Sequence, residues 1–377
     1  MKFVRITLSL VVLLLIVGAV AIAALMLFVD PGKLRPVIAE EVHKQTGYDV
    51  VIDGQFSWSF YPRFGIQVGH IALHMPQQAT PFLDLHRVIF VTELRQLLQG
   101  NQKLKGDIYI AELQLLNLHA QKAHVGLRWQ DQMLTLQPMN AELYDGKFEG
   151  VARGTALSNV PRWEWDVRLS DVQMRSLLSD VNGADSKLKM SGIGQFDIKG
   201  ATLGKTREEI LGNLNGTSTF SLKSGTLEGI DLNYMVKSAD ALINKQPVVA
   251  PSSKLDQTDF DQFSGSAMIK NGVASVNDMA LLAPALTATG AGSINLMANV
   301  INIQLRISPI KEARTQWVIP VMVSGSLFGP DVRLDATELN ILVAKQQLDN
   351  VRIKLRNEIK QRVPGKTGEV LQGLLGK

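Results

Sequence analysis

The stretch Trp163-Glu164-Trp165-Asp166-Val167-Arg168-Leu169-Ser170 decides the fold class. Its large apolar residues alternate with polar ones, and a period of two places the apolar set on one face of an extended strand. The same rhythm recurs in Phe196 and Ile198 between Gln195, Asp197 and Lys199, and in Phe220 and Leu222 between Thr219, Ser221 and Lys223. It recurs again in Ile301, Ile303, Leu305 and Ile307 between Asn302, Gln304 and Arg306, and in Ile52, Phe56, Trp58 and Phe60 between Asp53, Gln55, Ser57 and Ser59. Strands with one dry and one wet face belong to antiparallel sheets, whereas a parallel α/β core reads as unbroken apolar runs. The expectation is a mainly β chain.

A second pattern overlies the strands. Gly192, Gly216, Gly265, Gly290 and Gly325 each stand in a polar-Gly-x-small tetrapeptide that runs into a strand. Their recurrence at about 25-residue intervals, once skipped and once stretched, predicts hairpins stacked along an axis. Few helices interrupt. Asp30 and Pro31 read as N-cap and N1 of a short helix closed by Gly47, with Leu34, Ile38, Glu41 and Val42 on one side and His43 on its solvated surface. Glu93–Gln99 predicts one or two turns. Asp231–Lys245 predicts a longer helix, followed by a loop rich in Pro and Ser. From Thr337 to Val363, Leu348, Val351, Leu355, Ile359 and Val363 recur at spacings of three and four, which predicts an amphipathic helix ended by Pro364-Gly365. From Glu338 onward the tail carries eight Lys or Arg against four acids.

Residues 6–29 form an apolar run with no Lys, Arg, Asp or Glu, preceded by Lys2 and Arg5. As a helix it would span roughly 36 Å, enough for a ~30 Å hydrocarbon core. The flanking cations place the N-terminus in the cytoplasm and the bulk of the chain outside. The rival reading is a cleaved signal peptide, cut at Ala19-Val20-Ala21 or Ala21-Ile22-Ala23. Such a cut would leave Leu25–Val29 as an exposed apolar end, and cleavable h-regions are shorter. The 377 residues contain no cysteine, which excludes disulfides, thiol nucleophiles and Cys-based metal sites. A net charge of +4 gives poor support for nucleic-acid binding.

The residues also resemble the AsmA family, inner-membrane-anchored periplasmic proteins of Gram-negative bacteria. The resemblance is carried by Val29-Asp30-Pro31, Thr46-Gly47-Tyr48, Asp53-Gly54, Trp58, Tyr61-Pro62 and Gly65-Ile66. Toward the C-terminus it is carried by residues 221–236, 258–275, 287–296 and 319–335. Residues 100–190 match only in strand rhythm and in GKFEG at 146–150, and the basic tail lies outside the pattern. The resemblance implies a long β-sheet curled into a U-shaped apolar groove, a role in outer-membrane assembly and lipid homeostasis, and phospholipid transfer as mechanism. The residues by themselves leave the cover of the apolar face open, since a second sheet, the sheet's own curl or acyl chains would each serve. On the order of twenty strands would make a groove about 90 Å long.

No nucleophile elbow, Walker A loop, zinc-peptidase helix motif or dinucleotide fingerprint occurs, and no carboxylate pair suggests acid–base chemistry, so no enzymatic activity is expected. His70 and His74 are four apart, but on a strand two residues make no metal site without a third ligand. His86, His119 and His124 have no carboxylate at suggestive sequence spacing, so no metal and no cofactor are expected.

The resulting division is a cytoplasmic end (1–5), a transmembrane anchor (6–29), an N-terminal β region with its juxtamembrane helix (30–190), a C-terminal β repeat region (191–336) and a basic tail helix (337–377). The expected lipid-binding floor comprises Ile52, Phe56, Trp58, Phe60, Trp163, Trp165, Phe196, Ile198, Phe220, Leu222, Ile301, Ile303 and Leu305. Arg352, Arg356 and Lys360 mark a tail helix that caps the fold, lies on anionic headgroups or docks a partner. Expected partners are the inner membrane, phospholipid and envelope proteins at the far end of the groove. The alternative function is an assembly factor or scaffold for outer-membrane proteins that acts through protein–protein contacts.

Overall fold

In a computed structural model of the chain, the residues described are 32, 34–46, 48–59, 65–75, 78–92, 104–156, 160–183, 189–248, 256–310 and 317–362. The apolar run 6–29, the caps at Asp30, Pro31 and Gly47, the turn at Glu93–Gln99 and Phe60 lie outside them. Among the described residues no helix is long and apolar enough to cross a membrane.

Among the described residues seventeen strands form one antiparallel sheet. In chain order they are β1 (Asp49–Ser59), β2 (Gly65–His74), β3 (Pro81–Thr92), β4 (Leu104–Leu115), β5 (Leu118–Gln130), β6 (Met133–Leu143), β7 (Gly146–Thr155), β8 (Arg162–Gln173), β9 (Lys189–Met190), β10 (Ile193–Leu203), β11 (Asn215–Glu228), β12 (Gln257–Lys270), β13 (Val273–Leu282), β14 (Leu286–Asn295), β15 (Val300–Pro309), β16 (Ile319–Ser326) and β17 (Gly329–Leu334). Consecutive strands pair in a meander, with β8 passing directly to β10. The short β9 pairs with the far end of β11. Between β9 and β10, Gly192 at φ 124° breaks the line and lies against Gly225. The sheet is continuous from 189 into 193–203, and its edge strands β1 and β17 do not pair with each other.

Many of the strands contain an irregular step. Register slips lie at Asp53/Phe56, Gln121/His124, Leu136/Met139, Gly194/Phe196, Ser264/Ala267 and Val276/Met279. Arg87, Lys122, Asp171 and Ser224 adopt left-handed φ of 52°, 51°, 58° and 50° at comparable positions. At these steps the apolar spacing changes from two to three, as in Val68 to Ile71, Leu85 to Val88 and Phe260 to Phe263. A bulge of this kind keeps both halves of a strand on the same face while bending it.

Glycines on the inner face serve the same packing. Trp165 opposes Gly200, Phe220 opposes Gly265 and Leu305 opposes Gly290. A Cβ on Gly200 would stand 2.6 Å from the Trp165 ring, so the ring lies flat on its neighbour strand. This corrects the reading of the five marker glycines as strand starts. Gly265 and Gly290 sit in mid-strand, where the absent side chain seats a large one.

Two buried clusters anchor the sheet. The first joins β1–β6, with Leu73, Leu83 and Leu134 fully buried, to Ile38 and Val42 of helix α1 (Leu34–Thr46). The second joins β11–β16 to helix α4 (Leu232–Ile243), whose Leu232, Val236, Ala239 and Ile243 face inward at helical spacing. Asp231 caps α4 by accepting a 2.8 Å hydrogen bond from the Tyr234 amide. Helices α2 (Met174–Asn182) and α3 (Arg207–Gly212) sit at opposite ends of the strands, α3 closed by a Thr206/Glu209 capping box. Helix α5 (Ala336–Arg362) follows the expected tail boundaries within a residue and is capped by Asp335.

Candidate functional site

The registers place every described member of the expected floor on one face. Trp163 opposes Thr202, Trp165 opposes Gly200, Phe196 lies between Leu169 and Phe220, and Ile198 lies between Val167 and Ser218. Leu222 faces Gly194 and Phe263; Ile301, Ile303 and Leu305 face Ile294, Gly292 and Gly290; Ile52, Phe56 and Trp58 face Ile71, Val68 and Ile66. Side chains directly opposite in an antiparallel pair share a face.

Burial divides this face into three parts. Leu222 and Ile303, each 2% exposed, are core. Ile52, Phe56, Trp58 and Trp163 pack against the first cluster, and Phe196, Phe220 and Leu305 against the second. Between them Phe148, Trp165, Val167, Leu169 and Ile198 are half-buried and belong to neither cluster. On β7, β8, β10 and β11 this inner face carries no ionisable side chain. The outer face is charged and paired, with Arg168 to Asp197 at 2.6 Å and Lys199 to Asp166 at 2.9 Å.

The two ends of the strands form two rows of turns. Helix α2 leaves β8 on one row, where Asp180 accepts a 2.7 Å bond from the Tyr144 hydroxyl and lies 3.0 Å from His119 Nδ1. Burial, then the bond to Asp180, pushes the Tyr144 phenol above its ordinary range. A cavity of about 330 Å³ is lined by Leu116, Leu118 and Val181 from this row and by Leu211, Leu296 and Phe328 from the opposite row. Residues of the two rows therefore meet at this cavity.

Among its described side chains, helix α5 anchors by those of its first turns. Leu339 is buried, while Leu342 and Val343 pack partly on the second cluster. Ile341, Leu348, Val351, Ile353 and Leu355 are exposed, as are Arg352 and Arg356; Lys360 continues the helix.

The histidines require a correction. Carboxylate partners exist for those whose sequence spacing suggested none: His86 Nε2 lies 3.1 Å from Asp84, His124 Nε2 3.0 Å from Asp107 and His119 Nδ1 3.0 Å from Asp180. The contact between His43 and Asp49, at 3.0 Å, is surface-exposed. His70 meets Asp84 and His86, not His74. For all but His86 and Asp84 the partner sits on another element, so linear spacing gave no signal.

A seventeen-stranded antiparallel meander among the described residues, apolar on its inner face and packed against α1 over its first strands and α4 over its last ones, defines a mainly β sheet protein. The chain belongs to the AsmA family, whose family model matches residues 1–105 and 91–279. Among curated proteins it is similar to Protein AsmA of Escherichia coli (strain K12), 22% identical over 257 residues, 65% of this chain and 40% of that protein. The chain thus spans less than half of that relative's length. No solved structure matches it.

Proposed function

We propose that this protein is a non-enzymatic envelope-biogenesis protein, tethered to the inner membrane by residues 6–29 with its bulk in the periplasm, whose bent sheet carries phospholipid acyl chains. The observation that supports this reading is the half-buried band of Phe148, Trp165, Val167, Leu169 and Ile198, an apolar floor free of charge between two filled cores. An acyl chain laid along it gains roughly 0.8 kcal/mol per buried CH₂, with the headgroup left in water at the rim. Movement of a lipid along the floor calls for no catalytic residue.

The test is mass spectrometry of lipid co-purifying with residues 31–377 secreted to the periplasm. Roughly stoichiometric phospholipid supports the reading; a monodisperse, lipid-free protein rejects it. In that case a second reading moves ahead, an assembly factor that works through the edge of β17, which among the described residues pairs with β16 alone, or through the exposed apolar side of α5, and this one is favoured by the exposure of Leu348, Val351 and Leu355.

A further inference from the structure

The outer face of the sheet, remote from the apolar floor, carries a row of side chains that the lipid-handling reading leaves unused. Asp53, His70, His86 and Glu112 are successive cross-strand neighbours on β1, β2, β3 and β4, and Asp84 lies diagonally beside His70. His70 Nε2 stands 2.9 Å and His86 Nε2 3.1 Å from the same Asp84 oxygen, and the two rings stack 4.7 Å apart. The three ligand atoms lie within 4.8 Å of one another. We propose that His70, Asp84 and His86 bind a divalent first-row transition ion of the zinc type, which staples β2 to β3.

Four observations support the site. Two imidazoles and a carboxylate form a donor set suited to Zn²⁺ and its neighbours, and three protein ligands leave a fourth position for water. Metal–ligand bonds of about 2.0–2.1 Å in a tetrahedron require ligand atoms roughly 3.3 Å apart. The existing 2.9 and 3.1 Å separations need to open by only a few tenths of an ångström, within the reach of ring rotation. Asp53 Oδ2 lies 3.3 Å from His70 Nδ1, so it can hold the proton there and leave Nε2 as the lone pair; a carboxylate behind a metal-bound histidine does this work in metalloproteins. Finally, the nearby cation Arg87 is engaged by Glu112 at 2.6 Å, which offsets its charge against an incoming dication. The site is partly sheltered, with His70 and Asp84 side chains 26% and 22% exposed, while His86 at 49% leaves a solvent entry path.

The test uses the full chain in detergent without a histidine tag, titrated with Co²⁺ and then with Zn²⁺. The expected result is one Co²⁺ per chain with the intense visible bands of a four-coordinate ion, displaced by one equivalent of Zn²⁺. His86→Ala, at a half-exposed position, should abolish the bands while leaving the thermal transition of the metal-free protein in place. Asp53→Asn should weaken Zn²⁺ at least tenfold without removing it. His124→Ala, which alters the separate His124–Asp107 pair, should bind as the parent does. Absence of four-coordinate bands, or equal binding by His86→Ala, would overturn the assignment.

Discussion

Ile198→Asp puts one charge on the proposed acyl floor at a place the fold should tolerate. Ile198 is half-buried in the middle of β10, flanked on its face by Val167 and Ser218, and packs into neither buried cluster. A hydrated carboxylate there denies contact over about one strand spacing, ~4.8 Å, which corresponds to about four methylenes of an extended chain. At roughly 0.8 kcal/mol per methylene the loss is about 3 kcal/mol, on the order of a 100-fold weaker complex. Ile303→Asp would be a poor choice, because Ile303 is 2% exposed and its ionisation would disturb the core instead of the floor. The assay is phospholipid per chain by mass spectrometry, alongside displacement of a fluorescent fatty acid. Circular dichroism and thermal melting check the fold. Thr217→Asp, on the outer face opposite Lys199, introduces the same charge and should leave lipid unchanged. A folded Ile198→Asp protein that retains parental lipid would refute the reasoning.

Asp231→Ala removes the α4 cap and should cost about 1 kcal/mol in chemical denaturation, with the midpoint lowered and the slope unchanged. Truncation after Gln346 should leave the melting temperature within about a degree of the parent, because the described side chains of 347–358 are exposed and only earlier residues of α5 reach the core. Above pH 10, the ordinary tyrosine value here, Tyr144 stays protonated in the folded chain while the unfolded chain loses the proton, so stability should fall as pH rises through the alkaline range. Tyr144→Phe should flatten that alkaline limb in denaturant titrations at successive pH values, and an unchanged slope would count against the burial of this phenol.

The strand content, the helix at 231–245 and the tail helix were legible because period two and period 3.6 survive in a single sequence wherever one side of an element is dry. The same alternation put Trp165, Ile198 and Phe220 on a common face before any register was known, since antiparallel pairing sends alternate residues of every strand to one side. The bulges were harder to read. A change of spacing from two to three at Val68–Ile71 or Phe260–Phe263 looks like noise along one strand and acquires meaning only when neighbouring strands bend beside it. The marker glycines were visible, but their role was not: Gly265 is glycine because the Phe220 ring occupies the space of a side chain, and Gly290 because Leu305 does.

Composition, local periodicity and the apolar N-terminal run are properties of the linear chain, and they determined the fold class and, with the quoted motifs, the likeness to the AsmA family. Tertiary structure alone decided which apolar residues are core and which stay half-exposed, because that depends on where α1 and α4 come to rest. It alone also brought Asp53, His70 and His86 into one row from three strands. Cross-strand neighbours are set by register, and register is a property of the folded sheet.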